Sequence, residues 1–248
     1  MIKLILIIFY SFIFSTNISG YELAKMIDEK KQPQSSKSKI TMKLIDLDKG
    51  REKTKEMYSI SKDDGNKMLM FFKTPKRDKG VGFLKIEALD VDKLSLFIPK
   101  LKKIRRISSN NQSDSFMGSD LSFEDMLSRN LDEFEYTLLE SDDENMYVLQ
   151  SDCKDEDSEY SRHISWITKE NLLIKKEKSY DIKGKLLKLK SFEQIYKNNY
   201  HIVSKIDVTN LQNNHQTILE INNLEIDTNI DDNVFQEKNL KRYDKFVQ

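Results

Sequence analysis

The sequence predicts a mainly β protein built as an antiparallel meander, and three observations lead to this class. Short runs in which apolar and polar residues alternate, such as 40–44 and 68–72, follow one another along most of the chain. Turn signals, for example at 48–50 and 63–66, separate these runs at intervals of roughly ten to twenty residues. Helical periodicity is confined to two short segments. About a dozen strands result, and a meander of this size curls, closes or is capped.

The elements can be assigned in chain order. Residues 21–31 are predicted to form a helix, because apolar residues recur there at helical spacing, and 32–38 form a linker. A second helix is predicted at 122–129, where Ser122 and Asp125 fit a capping box. Either helix could act as a lid on a curled sheet. The predicted strands are 40–44, 56–61, 68–72, 84–86, 94–98, 101–107, 134–138, 145–150, 160–168, 172–181, 185–196, 201–208 and 216–226, followed by a short element at 233–242.

The N-terminus is typical of an export signal. Lys3 precedes an apolar run over 4–14, and small or polar residues follow up to Gly20. This run is too short to span a bilayer, which takes about 20 apolar residues. We therefore predict a cleavable signal peptide at 1–20 and one domain at 21–248, with an uncleaved anchor as the alternative. Cys153 is the single cysteine, so an internal disulfide is excluded.

Composition and motifs argue against several classes of function. The formal net charge is +0, with 41 basic and 41 acidic residues, which disfavours a nucleic-acid-binding protein. His163, His201 and His215 are scattered without the spacing of a metal site. The sequence contains no phosphate-binding or dinucleotide motif. We expect a protein without catalytic residues, metal or cofactor.

A basic stretch and the polar loop after it are the first candidate functional surface. On a strand, Arg105 and Arg106 lie on opposite faces, where they either protect an edge strand or contact a lipid headgroup or an acidic partner. Phe116 and Met117 are two large apolar residues among small polar ones. They either form a lid or partner surface, or anchor the loop to the core. The predicted lid and partner residues are Arg105, Arg106, Phe116, Met117, Gly118 and Asp120.

The second candidate site is the interior of the curled sheet. Alternation places one set of apolar residues inward and Lys85, Glu87, Lys93 and Glu135 outward. If the interior is hollow, the inward set lines a cavity for an apolar ligand; if it is filled, the same residues form an ordinary core. The predicted set is Met42, Leu44, Met68, Met70, Phe72, Leu84, Ile86, Leu94, Leu96, Phe134, Tyr136, Leu138 and Trp166.

Several segments together resemble the LolA-like family of outer membrane lipoprotein-sorting proteins, in its divergent and largely uncharacterised periplasmic branch. They are the stretch from Pro99 to Met126 and the blocks at 71–75, 79–84, 96–99, 160–166 and 234–235. The resemblance implies an incomplete antiparallel β-barrel around an apolar cavity, with short helices as a lid. The short first helix and the charged 141–160 region depart from the family pattern.

The same resemblance implies a function. It indicates a monomeric periplasmic carrier that moves the acyl chains of lipoproteins or lipids between the inner and outer membranes. Its partners would be an inner-membrane transporter and an outer-membrane acceptor. The alternatives are an accessory subunit of a lipid-exporting transporter and a secreted, non-enzymatic scaffold with a filled core.

Overall fold

Thirteen strands form one antiparallel sheet in the computed structural model, which describes residues 18–88 and 92–247. Their spatial order is β6-β5-β4-β3-β2-β1-β13-β12-β11-β10-β9-β8-β7, so β6 and β7 are the two edges and the sheet stays half-open. The predicted mainly β, incomplete barrel is confirmed. The strands are β1 (Ser35–Asp46), β2 (Arg51–Lys62), β3 (Lys67–Thr74), β4 (Gly82–Ile86), β5 (Lys93–Ile98), β6 (Lys103–Ile107), β7 (Phe134–Leu139), β8 (Met146–Cys153), β9 (Tyr160–Thr168), β10 (Ile174–Asp181), β11 (Leu186–Lys197), β12 (Tyr200–Asn210) and β13 (His215–Ile226).

Helix α1 (Gly20–Asp28) begins at a complete capping box. The Ser19 hydroxyl accepts a hydrogen bond from the backbone N–H of Glu22 at 3.1 Å, and the Glu22 carboxylate accepts one from the backbone N–H of Ser19 at 2.8 Å. Leu23 and Ala24 are buried against β7 and β8. The predicted helix at 21–31 therefore exists, and it begins at Gly20. Cleavage after Gly20 would remove its cap. Most of the predicted signal peptide, residues 1–17, lies outside the described residues.

The second predicted helix, at 122–129, is not an α-helix. Only a 3-10 turn forms, at Glu124–Met126, although the capping contacts between Ser122 and Asp125 are present at 3.0 and 3.2 Å. Leu127 leaves the turn with extended backbone angles. The Asp125 carboxylate also contacts Lys188 and Lys190 on β11, at 3.2 and 2.7 Å.

Residues 108–133 connect the two edge strands, and we call them the strap. The strap crosses the inner face of the sheet, the face that α1 also covers. Its contacts reach β13, where the Asp120 backbone N–H donates to the Thr217 hydroxyl at 2.9 Å, and β10, where Arg129 meets Glu177 at 2.7 Å. A second α-helix, α2 (Tyr243–Phe246), lies in the C-terminal segment. No helix in the part of the chain that the structure describes is both long and apolar enough to cross a membrane.

The C-terminal segment, residues 227–247, covers the outer face of β2 to β4. Ile230, Phe235 and Leu240 are buried there, in one cluster with Leu84. Ile86 packs against the same cluster, so the prediction that Leu84 and Ile86 face inward is wrong. The inward residues of β4 are Phe83 and Lys85, and Lys85 pairs with Glu87. Because a second apolar layer covers the outer face, β4 carries apolar residues on both sides, and alternation alone does not identify the interior.

Candidate functional site: a cavity with an apolar and a charged wall

A cavity of about 1450 Å³ lies between the inner face of the sheet, α1 and the strap. Its apolar wall comes from the middle of the sheet, where β1 to β3 meet β11 to β13 through the β1–β13 pairing. This volume exceeds the roughly 300–1,000 Å³ of pockets for drug-sized ligands. The apolar wall residues are Ile40, Met42, Met57, Met68, Met70, Phe192, Ile206, Leu219 and Ile221.

Much of this apolar wall is incompletely covered by protein. Phe192 pairs with Ile206, Ile206 with Leu219, and Leu219 with Met42, so these side chains form one row across four strands. Met42 is buried, whereas Phe192, Ile206 and Leu219 are only partly buried. An apolar ligand that covered them would gain about 25 cal/mol for each Å² removed from water. The wall is therefore suited to binding hydrocarbon.

The part of the inner face next to the cavity is filled. Phe116 of the strap is 1% exposed, and its ring centroid lies 5.0 Å from that of Phe83 and 5.6 Å from that of Phe123. Leu94 and Leu96 belong to the same packed cluster. Phe116 thus anchors the strap to the core, as one of the two sequence-based interpretations expected, and the interior is hollow in one part and filled in another.

The predicted cavity residues divide into four groups. Met42, Met68, Met70 and Phe134 line the cavity. Leu44, Phe72, Leu94 and Leu96 belong to the packed cluster around Phe116. Tyr136 and Leu138 pack against α1, and Leu84, Ile86 and Trp166 lie on the outer face. Whether the lining residues bind a ligand stays a prediction.

Trp166 does not face the cavity. It lies on β9 between Ser165 and Ile167, both of which are buried on the inner face, so its own side chain is on the outer face. There the ammonium of Lys178 lies 5.3 Å from the centre of the indole ring. This contact gives the large side chain a partner on the outer face of the sheet, which the alternation pattern does not indicate.

The predicted lid and partner residues are held mainly by charge contacts. Arg105 on β6 donates to Asp114 of the strap at 2.9 Å, and Arg106, on the opposite face, makes two hydrogen bonds to Glu237 at 2.9 and 3.0 Å. Asp120 is buried and accepts from Thr217 at 2.6 Å, with a His215 ring nitrogen also at 2.6 Å. The carbonyl of Met117 accepts from Lys55 at 2.7 Å. Gly118 has a φ of +79°, which a side chain rarely adopts. Arg105, Met117 and Asp120 thus hold the strap to the sheet, whereas Arg106 holds the C-terminal segment. No contact among the described residues shows what a partner would meet.

The charged wall of the cavity belongs to an ionic network that the sequence analysis missed, comprising Asp125, Arg129, Glu177, Lys188 and Lys190. All of these except Lys188 line the cavity. Its centre is the Lys190 ammonium, 2.7 Å from Asp125 and 3.3 Å from Glu177. Lys188 lies 3.2 Å from Asp125 and 3.1 Å from Glu159. The side chains of all members except Arg129 are at most 5% exposed. Buried charges at such a density are tolerated only when they are paired.

The network fixes the protonation states of its members. Burial opposes ionisation of Asp125, but Lys190 and Lys188 hold the pKa of its carboxyl well below the usual range. Arg129 and Lys190 likewise overcome burial and keep the pKa of Glu177 well below its ordinary value. Burial and the positive charge of Arg129 lower the pKa of the neighbouring His163 well below 6.5, so this imidazole is neutral at pH 7. The carboxylates and cations of this wall are therefore ionised, and their charges largely neutralise one another.

Sequence alternation missed the network because β11 reverses the usual pattern. Lys188 and Lys190 face inward, and Leu189 between them is 37% exposed on the outer face. The register places Lys190 directly opposite Glu177 on β10, and Glu177 opposite Ser165 on β9. The only sequence signal is that both faces of β10 and β11 carry charged residues.

Among residues 18–88 and 92–247, no three His, Cys, Asp or Glu side chains are grouped as a metal site.

Several solved structures have the same fold as this protein over most of its chain. A domain described as an outer membrane lipoprotein-sorting protein, from Vibrio parahaemolyticus, is 28% identical, with a TM-score of 0.84 over 90% of this chain and 98% of that one. A DUF1329 family protein from Desulfovibrio piger is also 28% identical, with a TM-score of 0.81 over 89% and 97%. A LolA superfamily protein from Nitrosomonas europaea is 19% identical, with a TM-score of 0.71 over 90% and 99%, and shows the fold alone.

A family model and the curated proteins complete the comparison. No curated protein matches the chain. The model of a family described as "Uncharacterized protein" matches residues 64–242, well over half of the chain. The chain therefore belongs to this uncharacterized family, and its fold is that of the LolA-like outer membrane lipoprotein-sorting proteins.

Proposed function

We propose that this protein is a periplasmic, non-enzymatic carrier that holds acyl chains of lipoproteins or lipids in its cavity and moves them between the inner and outer membranes. The observation that carries the proposal is the cavity of about 1450 Å³ beneath a row of partly covered apolar side chains. The carrier would act as a monomer after export by its signal peptide. An inner-membrane transporter would load it, and an outer-membrane acceptor would unload it.

The energetics suit a carrier. Each buried CH₂ group contributes about 0.8 kcal/mol, so a long acyl chain gains on the order of 10 kcal/mol before the cost of ordering it. Four of the nine apolar wall residues are methionines, namely Met42, Met57, Met68 and Met70. Methionine side chains are flexible and adapt to ligands of different shape, and such adaptability suits a protein that must also release its cargo.

Two neighbouring residues of β13 allow a matched test. Leu219 faces the cavity and Ile218 faces outward, and both are partly buried. We expect Leu219→Trp to fill cavity space and reduce binding of a fluorescent fatty-acyl probe with little loss of stability. Ile218→Trp adds the same bulk on the outer face and should leave probe binding unchanged.

Two measurements decide the proposal: probe binding, and native mass spectrometry of the purified protein for co-purified lipid. Bound lipid in the wild type, together with a loss of probe binding confined to Leu219→Trp, would support the carrier function. Absence of both lipid and probe binding in the wild type would leave the scaffold alternative, which the filled region around Phe116 favours.

A further inference from the structure

Arg129 is the network member that reaches the open space of the cavity. It lies on the strap, and its guanidinium makes two parallel hydrogen bonds to the Glu177 carboxylate, at 2.7 and 2.8 Å. The Arg129 side chain is 38% exposed, whereas that of Glu177 is 3% exposed. Lys190, the other cation that lines the cavity, is 5% exposed and is enclosed by its two carboxylates. A ligand in the cavity therefore meets Arg129 first.

The guanidinium retains donors for a ligand. An arginine has five N–H groups. Two of those on Arg129 donate to Glu177, and a third lies 3.4 Å from a ring nitrogen of His163. The Nε–H group and one Nη1–H group have no acceptor among residues 18–88 and 92–247. They lie on opposite edges of the planar guanidinium, because the N–H group beside Nε–H belongs to Nη2 and faces His163. Each of the two can therefore donate one charge-assisted hydrogen bond to an oxygen of a carboxylate or a phosphate.

Glu177 orients the Arg129 guanidinium and still leaves two of its N–H groups for a ligand. Its carboxylate also accepts from Ser165 at 3.1 Å and contacts Lys190 at 3.3 Å. Glu177 is thus held from several sides, and the paired guanidinium is fixed before any ligand arrives. Pre-orientation lowers the entropy cost of binding.

We propose that the cavity binds amphiphiles by both ends, with hydrocarbon on the apolar wall and a terminal oxyanion, phosphate or carboxylate, on Arg129. This inference rests on the proposed carrier function and specifies its cargo. Exposed carboxylates that line the cavity, among them Asp28, Asp132 and Asp157, would favour a phosphate that carries an ammonium group over a ligand with uncompensated negative charge.

Three ligands with the same oleoyl chain test the proposal. Mono-oleoylglycerol has no charge, oleate supplies a carboxylate, and oleoyl lysophosphatidylethanolamine supplies a phosphate. We would titrate each, below its critical micelle concentration, into full-length wild-type protein and into Arg129→Gln. A hydrogen bond to a charged group is worth enough to change affinity about tenfold to a hundredfold. We expect Arg129→Gln to weaken the oxyanion ligands by about this factor and to leave mono-oleoylglycerol unchanged.

Two further variants control the experiment. Arg106→Gln removes an arginine that is also bidentate to a glutamate, but on the outer face, and should change no affinity. If Arg129→Gln fails to fold, Arg129→Lys keeps the charge but loses the planar guanidinium, and it should weaken oxyanion binding by a smaller factor. Binding of mono-oleoylglycerol reports in each variant that the cavity is intact.

The outcomes are distinct. A loss confined to oleate, to the phospholipid or to both supports the inference and identifies the source of the oxyanion. If all three ligands bind and neither Arg129 variant changes any affinity, the inference is wrong while the carrier function stands. If the wild type binds none of the three, the proposed function fails, and the inference fails with it.

Discussion

Replacing Lys190 by Met removes the cation that lies between the two buried carboxylates of the ionic network. Methionine is close to lysine in length, so the change deletes the charge and leaves most of the packing. Asp125 keeps Lys188 at 3.2 Å, and Glu177 keeps Arg129 at 2.7 Å. Each nevertheless loses one counterion at 3.3 Å or less, at a side chain that is at most 5% exposed.

Breaking a buried ion pair by removal of one partner costs about 3–5 kcal/mol. In a protein of this size, each kcal/mol shifts the melting temperature by about 2–4 °C, so we expect a drop of roughly 6–20 °C. Urea unfolding can be followed by the fluorescence of Trp166, the one tryptophan of the chain. The matched control is Lys205→Met, which breaks an exposed pair with Glu193 and should cost no more than about 1 kcal/mol.

The stability lost in Lys190→Met should depend on pH, in a direction that the pKa shifts predict. Lys190 contributes to holding the pKa values of Asp125 and Glu177 below their unfolded values. Stability from such groups is fully present above the unfolded pKa, near 4, and is lost as the pH falls towards the folded pKa. The difference between wild type and Lys190→Met should therefore be largest at neutral pH and shrink below about pH 4. A loss below 1 kcal/mol at pH 7, or one that does not change with pH, would refute a stabilising role for the network.

Three further predictions concern the filled parts of the molecule. Phe116→Ala should cost about 3–5 kcal/mol, whereas Met117→Ala, at a partly buried site, should cost less than half as much; equal costs in urea unfolding would contradict the packing. Leu96→Trp should overpack the cluster and lower stability by about 1–3 kcal/mol without reducing acyl-probe binding, and reduced binding at unchanged stability would place Leu96 at the cavity. In the uncleaved chain, which keeps Gly20, Gly20→Ala should also cost about 1–3 kcal/mol, because its Cβ would lie 2.8 Å from the Tyr136 carbonyl oxygen, and a wild-type melting temperature would show that α1 can shift.

The sequence predicted the strands best where one face of the sheet meets water. On β1, Met42 and Leu44 alternate with polar residues, and both face inward as expected. Alternation failed on β4, because the C-terminal segment also buries Leu84 on the outer face. The residues that cover Leu84 lie some 150 positions further along the chain, so a local sequence pattern does not reveal them.

The sequence analysis failed to predict the charged wall, and the reason differs from that on β4. Lysine on a strand normally indicates the solvent side, and only the register between β10 and β11 reveals that Lys190 has Glu177 as its neighbour. Asp125 comes from the strap, about 65 residues earlier, and its capping contact with Ser122 suggested a helix. Local and long-range partners bind the same carboxylate here, and the sequence shows only the local one.

The strap joins the two free edges of the sheet, and this limits how the molecule can change its width. About 26 residues separate β6 from β7, enough for roughly 90 Å of extended chain. The backbone of the strap is therefore far from taut, and side-chain contacts such as those of Phe116 and Arg129 determine how closely it lies against the sheet. If these contacts release one after another, the edges can separate and the entrance can widen while all twelve strand pairings stay intact. In the proposed carrier, unloading would then require no unfolding of the sheet, and its rate would depend on a few side chains in one connecting segment.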